Sequence, residues 1–478
     1  MPDTLFFPAW RHRFHRRPKI LPALQDLRRC TLEHLEARFG PVLAGIAELS
    51  WAKASACERP YSVRRTWWCF LWQMLQRNTS CRGVVRQLQA MLILEGRLAV
   101  DEGNSAYCQA RARLPEPLLE QILSVSARAA DQLVAPSEFL QGRVVHVVDG
   151  STLALPDTPE NQKMYPQPTS QKPGCGFPLL HLLVMGSTRG GRMLNLAKGD
   201  YHHGEMRLMH TLCATLAAQD IVIYDRAAGN YVACALIQAA QADLISRVAC
   251  RQIDWRRGRR IGNNQRLVVW KKTRQKSPYL TPGEWASLPA ELTVRVIRVQ
   301  VKQKGFRTRV LALVTTLLDP LAYPAEQIGA AYLRRWRLEM CLDDLKTTLG
   351  LDALRCKTPH MVHREVLTLL IAHNLVRAVM AEAAREHAVP LHRLSFTGTL
   401  QTLRSFSAAS AQARRPQQRR LLWAEMLRII AADLVPLRPD RWEPRVVKRR
   451  PKPYPRLNRP RHQYRETRHG SRYRMEKT

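Results

Sequence analysis

Three carboxylates in this chain sit where they could share one task. Asp149 follows the β-branched run Val144-Val145-His146-Val147-Val148, and Asp225 follows Ile221-Val222-Ile223-Tyr224. Each aspartate is therefore expected at the end of a buried strand, opening into the crevice where α/β proteins place their sites. Glu339 lies far along the chain, in a stretch with helical periodicity from about Ala325 to Leu349, with Gly350 as its stop. Two aspartates and a glutamate could hold two Mg²⁺ ions about 3.5–4 Å apart. One ion would activate an attacking oxygen and the other would stabilise the leaving oxygen of a phosphodiester. Mn²⁺ would substitute, and no His/Cys cluster with zinc spacing competes. A lone strand-end aspartate is more often a cap or a turn residue, so the weight rests on the three together.

The same helical stretch carries Tyr332, Arg335 and Lys346 beside Glu339. At 3.6 residues per turn all four fall within a stripe roughly 60° wide and about 20 Å long. A compact metal site would cluster its ligands. An acid with two cations spread along a helix suits a catalytic carboxylate beside a track for a phosphate backbone. The plainer alternative is a helix face laced by ion pairs, with Asp343 or Asp344 as partners.

Composition agrees with a polyanionic partner. The 478 residues hold 75 Lys+Arg against 39 Asp+Glu, a net charge of +36. The 11 cysteines are scattered with no C-x-x-C, as in a reducing cytosol. The apolar segment from Trp67 to Leu75 is too short to span a bilayer, and the N-terminus has no signal-peptide pattern. A cytoplasmic, nucleoid-associated protein without membrane contact is expected.

The elements that must position these residues form an α/β core with helical additions. Residues 1–135 read as short helices, among them Leu24–Ile46, Trp67–Gln76, Ser80–Gln89 and a basic one within Asn104–Pro115. They suit either a helix-turn-helix-like DNA reader or a helical bundle with a solvated face. From 140 to 245 come strands at Val144–Asp149, Leu179–Met185, Met193–Ala197 and Ile221–Tyr224, with helices at Glu205–Leu216 and from Tyr231 to Gln241. Residues 246–318 differ: between 250 and 310 there are 16 Lys+Arg against three acids. There Leu292–Val296 and Arg298–Lys302 alternate apolar with basic, which predicts a β-rich insertion with one cationic face. The core resumes over 319–395 with the long helix and an apolar helix, Val366–Met380. Residues 396–440 are helical, and 441–478 form a proline-containing basic tail, expected to be disordered and phosphate-seeking.

Secondary candidates are weaker. His202-His203-Gly204-Glu205 could bind a metal, although such a pair before a helix is more often a surface or capping group. Gly174-Cys175-Gly176 lacks the third glycine of a dinucleotide site, and no Walker A sequence is present. Trp336 is expected to pack in the core.

The spacing Tyr332-(2)-Arg335-(3)-Glu339-(6)-Lys346 resembles the YREK signature of DDE transposases of bacterial insertion sequences, in the insertion-sequence-four family. Val148-Asp149-Gly150-Ser151-Thr152 and Asp225-Arg226-Ala227-Ala228-Gly229-Asn230-Tyr231 resemble that family's two aspartate blocks, and the likeness covers about residues 140–395. It implies a ribonuclease H-like core interrupted by a β-rich insertion. It implies Asp149, Asp225 and Glu339 as catalytic metal ligands for two Mg²⁺ ions. Tyr332, Arg335 and Lys346 would then hold DNA phosphates. The expected function is cut-and-paste excision and strand transfer. The expected partners are double-stranded terminal inverted repeats, target DNA and a second copy of the chain, with 410–436 as a candidate dimer contact. Members that form a DNA hairpin use a tryptophan of the insertion, for which Trp255, Trp270 and Trp285 all qualify. Two rivals remain: an inactive element-end DNA-binding protein, and a ribonuclease H-like nuclease without strand transfer.

Overall fold

The computed structural model describes residues 39, 60–76, 78–94, 100–131, 140–188, 190–202, 204–249, 253–301, 310–413, 415–436 and 455–464. The expected helix over Leu24–Ile46 lies outside these apart from Phe39, as does the basic tail apart from 455–464. Its organising element is one nine-stranded sheet with the order β3-β2-β1-β4-β5-β9-β8-β7-β6. The first half comprises β1 (Val145–Ala154), β2 (Leu179–Ser187), β3 (Met193–Asp200), β4 (Ile221–Tyr224) and β5 (Asp243–Val248). β1, β4 and β5 run parallel, while β2 is antiparallel to β1 and β3.

Strand alternation decides which side of the sheet each residue faces. Val145, Val147, Ile221 and Ile223 belong to one apolar cluster, together with the long helices. Val148, Val222 and Tyr224 belong to the other, together with helices α6 (Glu205–Cys213) and α7 (Tyr231–Ala239). Asp149 and Asp225 continue the odd-numbered rows and so emerge on the first face.

The remaining strands extend the same sheet rather than standing apart. These are β6 (Arg259–Gly262), β7 (Gln265–Lys271), β8 (Glu291–Gln300) and β9 (Val310–Thr315). β9 pairs antiparallel with both β5 and β8. The alternating pattern was expected to turn its basic positions outward. Arg295 instead has no exposed surface, because its guanidinium finds carbonyl partners at the turn after β9.

Helices cover the face that carries the aspartates. α1 (Val63–Leu75), α2 (Cys81–Leu94), α3 (Ser105–Ala112) and α4 (Glu116–Asp131) form the described N-terminal part, and α5 (Pro159–Met164) follows β1. Ser62 caps α1 by accepting from the Arg65 amide. α8 (Pro282–Ser287) sits in the β6–β8 region. The chain then gives α9 (Ala325–Leu333) and α10 (Trp336–Asp343), followed by α11 (Pro359–Glu386), α12 (Phe396–Gln412) and α13 (Pro416–Ala432). α11 is apolar and long enough to cross a membrane, but 94% of its apolar window is buried inside the protein. It is the central post against which α1, α4, α12 and α13 pack.

The single helix expected over 325–349 is broken. At Arg334-Arg335 the backbone bonds tighten to a three-residue spacing, with Arg335 N to Tyr332 O at 3.0 Å and Leu338 N to Arg335 O at 3.0 Å. Packing explains the break. The buried residues of α9 (Ala325, Ile328, Tyr332) and of α10 (Leu338, Cys341, Leu342) would lie about 120° apart around one straight axis. Breaking the helix lets both rows reach the core. Beyond Asp343 the winding loosens to a π turn over Asp344–Thr348, closed by Leu349 N to Asp344 O at 3.2 Å. Gly350, at φ 85°, then ends the segment in the left-handed conformation.

Candidate active site

Two strands and one helix bring the acids together. Asp149 is not at a strand end: β1 continues five residues further, paired with β2 through Ala154. What ends there is the pairing with β4, whose last partners on β1 and β4 are Val147 and Ile223. The two strands diverge just before Asp149 and Asp225, leaving both carboxylates at the mouth of the fork. Asp225 also opens the turn after β4, its Oδ1 accepting from the Ala227 amide at 2.7 Å.

α10 crosses this mouth, with Arg335 as its N-cap and Glu339 in its first turn. The Arg335 guanidinium reaches back to Asp149 Oδ1 at 3.4 Å through Nη1, and its Nη2 pairs with Glu339 Oε1. One planar cation thus joins two carboxylates from segments 186 residues apart. The Asp149, Arg335 and Glu339 side chains are 20%, 19% and 27% exposed, so solvent screens them only partly.

The electrostatics are those of crowded acids. Asp149 is pushed up to about 6, first by burial and then by the charges of Glu339 and Asp225, against the pull of Arg335. Arg335 is raised: burial works against its charge, but Glu339, Tyr332, Asp149 and Asp225 outweigh it. Tyr332 is 7% exposed and its phenol is raised by burial, with Arg335 and Arg247 opposing. Lys346 is half-buried in the π turn beyond Glu339. The site therefore gathers Asp149, Arg335 and Glu339 by contact, Tyr332 beside Arg335, and Asp225 by field.

The donor chemistry fits a hard divalent cation, since two carboxylates meet at one guanidinium, Asp225 lies within their field, and Asp149 is destabilised as an anion by its acidic neighbours. Among the described residues, no three acids, histidines or cysteines lie close enough to hold a metal as they stand. Arg335 occupies the position between the carboxylates instead.

Other residues lie around the fork, of which Arg247 carries no sequence signature. Arg247 on β5 lies level with Asp225, one residue past the Tyr224–Ser246 pair. Behind the sheet, Glu205 at the start of α6 accepts from the Tyr224 hydroxyl at 3.2 Å and faces His181 Nε2 at 3.7 Å. Its neighbour His202 is tied by its backbone N–H to Asp200 at 2.8 Å, and His203 lies outside the described residues. Trp336, expected in the core, is 56% exposed. Trp255, Trp270 and Trp285 all pack against the second core cluster, with Arg298 4.4 Å above Trp255 and Lys272 5.1 Å above Trp285. None of the three stands apart from the others.

Residues 140–375 match the family model described as Transposase DDE domain. The chain is 26% identical over 407 residues to the transposase InsG for insertion sequence element IS4 of Escherichia coli (strain K12), covering 81% of this chain and 85% of that protein. It is 26% identical over 160 residues to the putative transposase InsZ of the same organism, covering 33% of this chain and 52% of that one. Among solved structures it resembles a piggyBac transposase synaptic complex with hairpin DNA, with a TM-score of 0.38, 10% identity and 85% of each chain covered.

Proposed function

We propose that this chain, a DDE transposase of the insertion-sequence-four type, cuts and rejoins DNA with Asp149, Asp225 and Glu339 as its catalytic, metal-binding carboxylates. The observation that carries the assignment is the Arg335 bridge, which brings Glu339 to Asp149 at the mouth of the β1–β4 fork. The order 3-2-1-4-5 with an antiparallel β2 supports reading the first half of the sheet as ribonuclease H-like, with β6–β8 as the insertion. The N-terminal helices, 1–135, and the tail, 441–478, are assigned to the terminal inverted repeats. Residues 396–440 are assigned to the contact between two copies.

Asp149, Asp225 and Glu339 would hold divalent ions such as Mg²⁺, which would supply activation of the attacking oxygen and neutralisation of the leaving one. The chain's own residues prepare for that. In the free protein Arg335 bridges Asp149 and Glu339, offsetting one of their two negative charges and holding them side by side. When a DNA phosphate arrives, the guanidinium offers its fork to the phosphate oxygens instead and releases the carboxylates. Tyr332, buried behind Arg335, limits where the guanidinium can swing. Lys346 acts as a point charge further along the backbone track. Water or a 3′-hydroxyl would attack in turn, cutting the element end and then joining it to target DNA.

The test is an assay for joined products. Pre-cut element ends with free 3′-hydroxyls, incubated with a supercoiled target and Mg²⁺, should yield covalently joined molecules. Cleavage without any joining would reduce the protein to a nuclease.

A further inference from the structure

Glu205 sits on the opposite face of the sheet from the catalytic carboxylates, yet it touches the residues beside both aspartates. Tyr224, which precedes Asp225, donates its hydroxyl to Glu205 Oε2 at 3.2 Å. Gly150, which follows Asp149, lies so close that a Cβ there would stand 2.7 Å from Glu205 Oε1. His181 on β2 faces the same oxygen from 3.7 Å. Alternation places all three on the α6 side: Tyr224 belongs to the apolar cluster of that face, while Gly150 follows Asp149 and His181 lies between Leu180 and Leu182, which all face the other side. One carboxylate therefore contacts β2, β1 and β4 at the level where the β1–β4 ladder stops at Val147 and Ile223.

We infer that Glu205 is a positioning residue that fixes the opening of the β1–β4 fork, and with it the separation of Asp149 and Asp225. It does so from behind, without touching metal or DNA. Two strands that have lost their ladder are free to splay. A charged carboxylate wedged between them, bonded to Tyr224 of β4, paired with His181 of β2 and packed against Gly150 of β1, sets their spacing. Glu205 is held below the usual carboxylate range, first by His181 and then by the Tyr224 hydroxyl, against the effect of burial. Gly150 has a matching reason to be glycine, since any side chain there would push Glu205 out of its place. The inference rests on the carboxylate assignment made above.

The test uses the full-length protein in four forms: wild type, Glu205→Ala, Gly150→Ala and the double variant. Mn²⁺ binding to the metal-stripped protein, thermal unfolding without metal, and Mg²⁺-dependent cutting of an element-end duplex are all measured. Support groups around metal ligands commonly change affinity by about 10-fold or more. Glu205→Ala is expected to weaken Mn²⁺ binding and raise the Mg²⁺ needed for half-maximal cutting by about that factor, with DNA binding unchanged. Gly150→Ala should do the same, and the double variant should be no worse than either single one, because removing Glu205 removes the clash. Glu205→Gln, which keeps an acceptor for Tyr224, should fall between, and it replaces Glu205→Ala if the alanine form does not fold. Wild-type Mn²⁺ affinity in Glu205→Ala would overturn the inference. So would unfolding penalties of the two single changes that merely add. Failure of the carboxylate assignment itself is recognised separately, by a Glu339→Gln control that still cuts.

Discussion

Replacing Arg295 by methionine perturbs the segment that aims Glu339. Arg295 lies on β8 with no exposed surface, yet its guanidinium is bonded on every side. Nε and Nη2 donate to Gln265 Oε1, and Nη1 donates to the carbonyls of Asp319 at 3.2 Å and Tyr323 at 2.7 Å. A third carbonyl, Leu317, stands at 3.4 Å and contributes little. Those carbonyls belong to the turn between β9 and α9. Burial lowers the guanidinium pKa against the attraction of Asp319 and Glu326, so the charge is present at a desolvation cost. Methionine fills much of the space and removes that cost. It also leaves two carbonyls and one amide oxygen without a donor, at about 1–3 kcal/mol each. Setting one against the other gives a local loss of about 3 kcal/mol. Openings of the turn should then be roughly 100-fold more frequent. Hydrogen exchange read by mass spectrometry should show faster exchange across 317–335, with peptides from α7 unchanged and a slower cleavage rate. Unaltered exchange in 317–323, or uniform loosening of the whole molecule, would refute the reasoning.

Other outcomes follow from the same geometry. Arg335→Lys keeps the charge but loses the fork that joins Asp149 and Glu339. Cutting of element-end DNA should fall by about 10-fold or more while the melting temperature stays near wild type. Trp336→Ala should change stability by no more than about 0.5 kcal/mol, since the side chain is 56% exposed; a large drop in denaturant midpoint would contradict this. His373 is buried and its pKa is pushed down to about 3, by burial and then by Arg377. The folded state thus holds it neutral, while the unfolded chain binds a proton below pH 6.5. Its contribution is complete above that pH and is lost as pH falls from 6.5 towards 3. His373→Phe should accordingly flatten the acid side of a stability-against-pH curve, and an unchanged curve would rule this out. Chelating divalent cations should stop cutting but leave element-end binding intact in a gel-shift assay.

Much of the core was legible because its signals are local. Ile221–Tyr224 is a pure apolar run, buried at every position, and it was found with its exact bounds. Leu179 and Met193 likewise opened strands where expected. Asp243–Val248 was missed because Asp243, Ser246 and Arg247 interrupt its apolar residues, although the strand is central and paired on both sides. Arg295 misled for the related reason that a basic residue in an alternating strand reads as solvent-facing until its carbonyl partners are known. The Tyr332-to-Lys346 spacing could be read along one helix, but the break at Arg334-Arg335 is imposed by tertiary packing that no helical propensity encodes. Asp149 and Glu339 could be nominated separately. Only the fold shows Arg335 linking them, and only the fold reveals Glu205 behind the sheet.

The most direct measurement incubates the full-length protein and Glu339→Gln, each with Mg²⁺, on a duplex spanning the boundary between the element and its flanking DNA. Cutting at the boundary by the wild type alone, with equal binding by both, is the predicted result. Cutting by Glu339→Gln at the wild-type rate would contradict the assignment of the catalytic carboxylates.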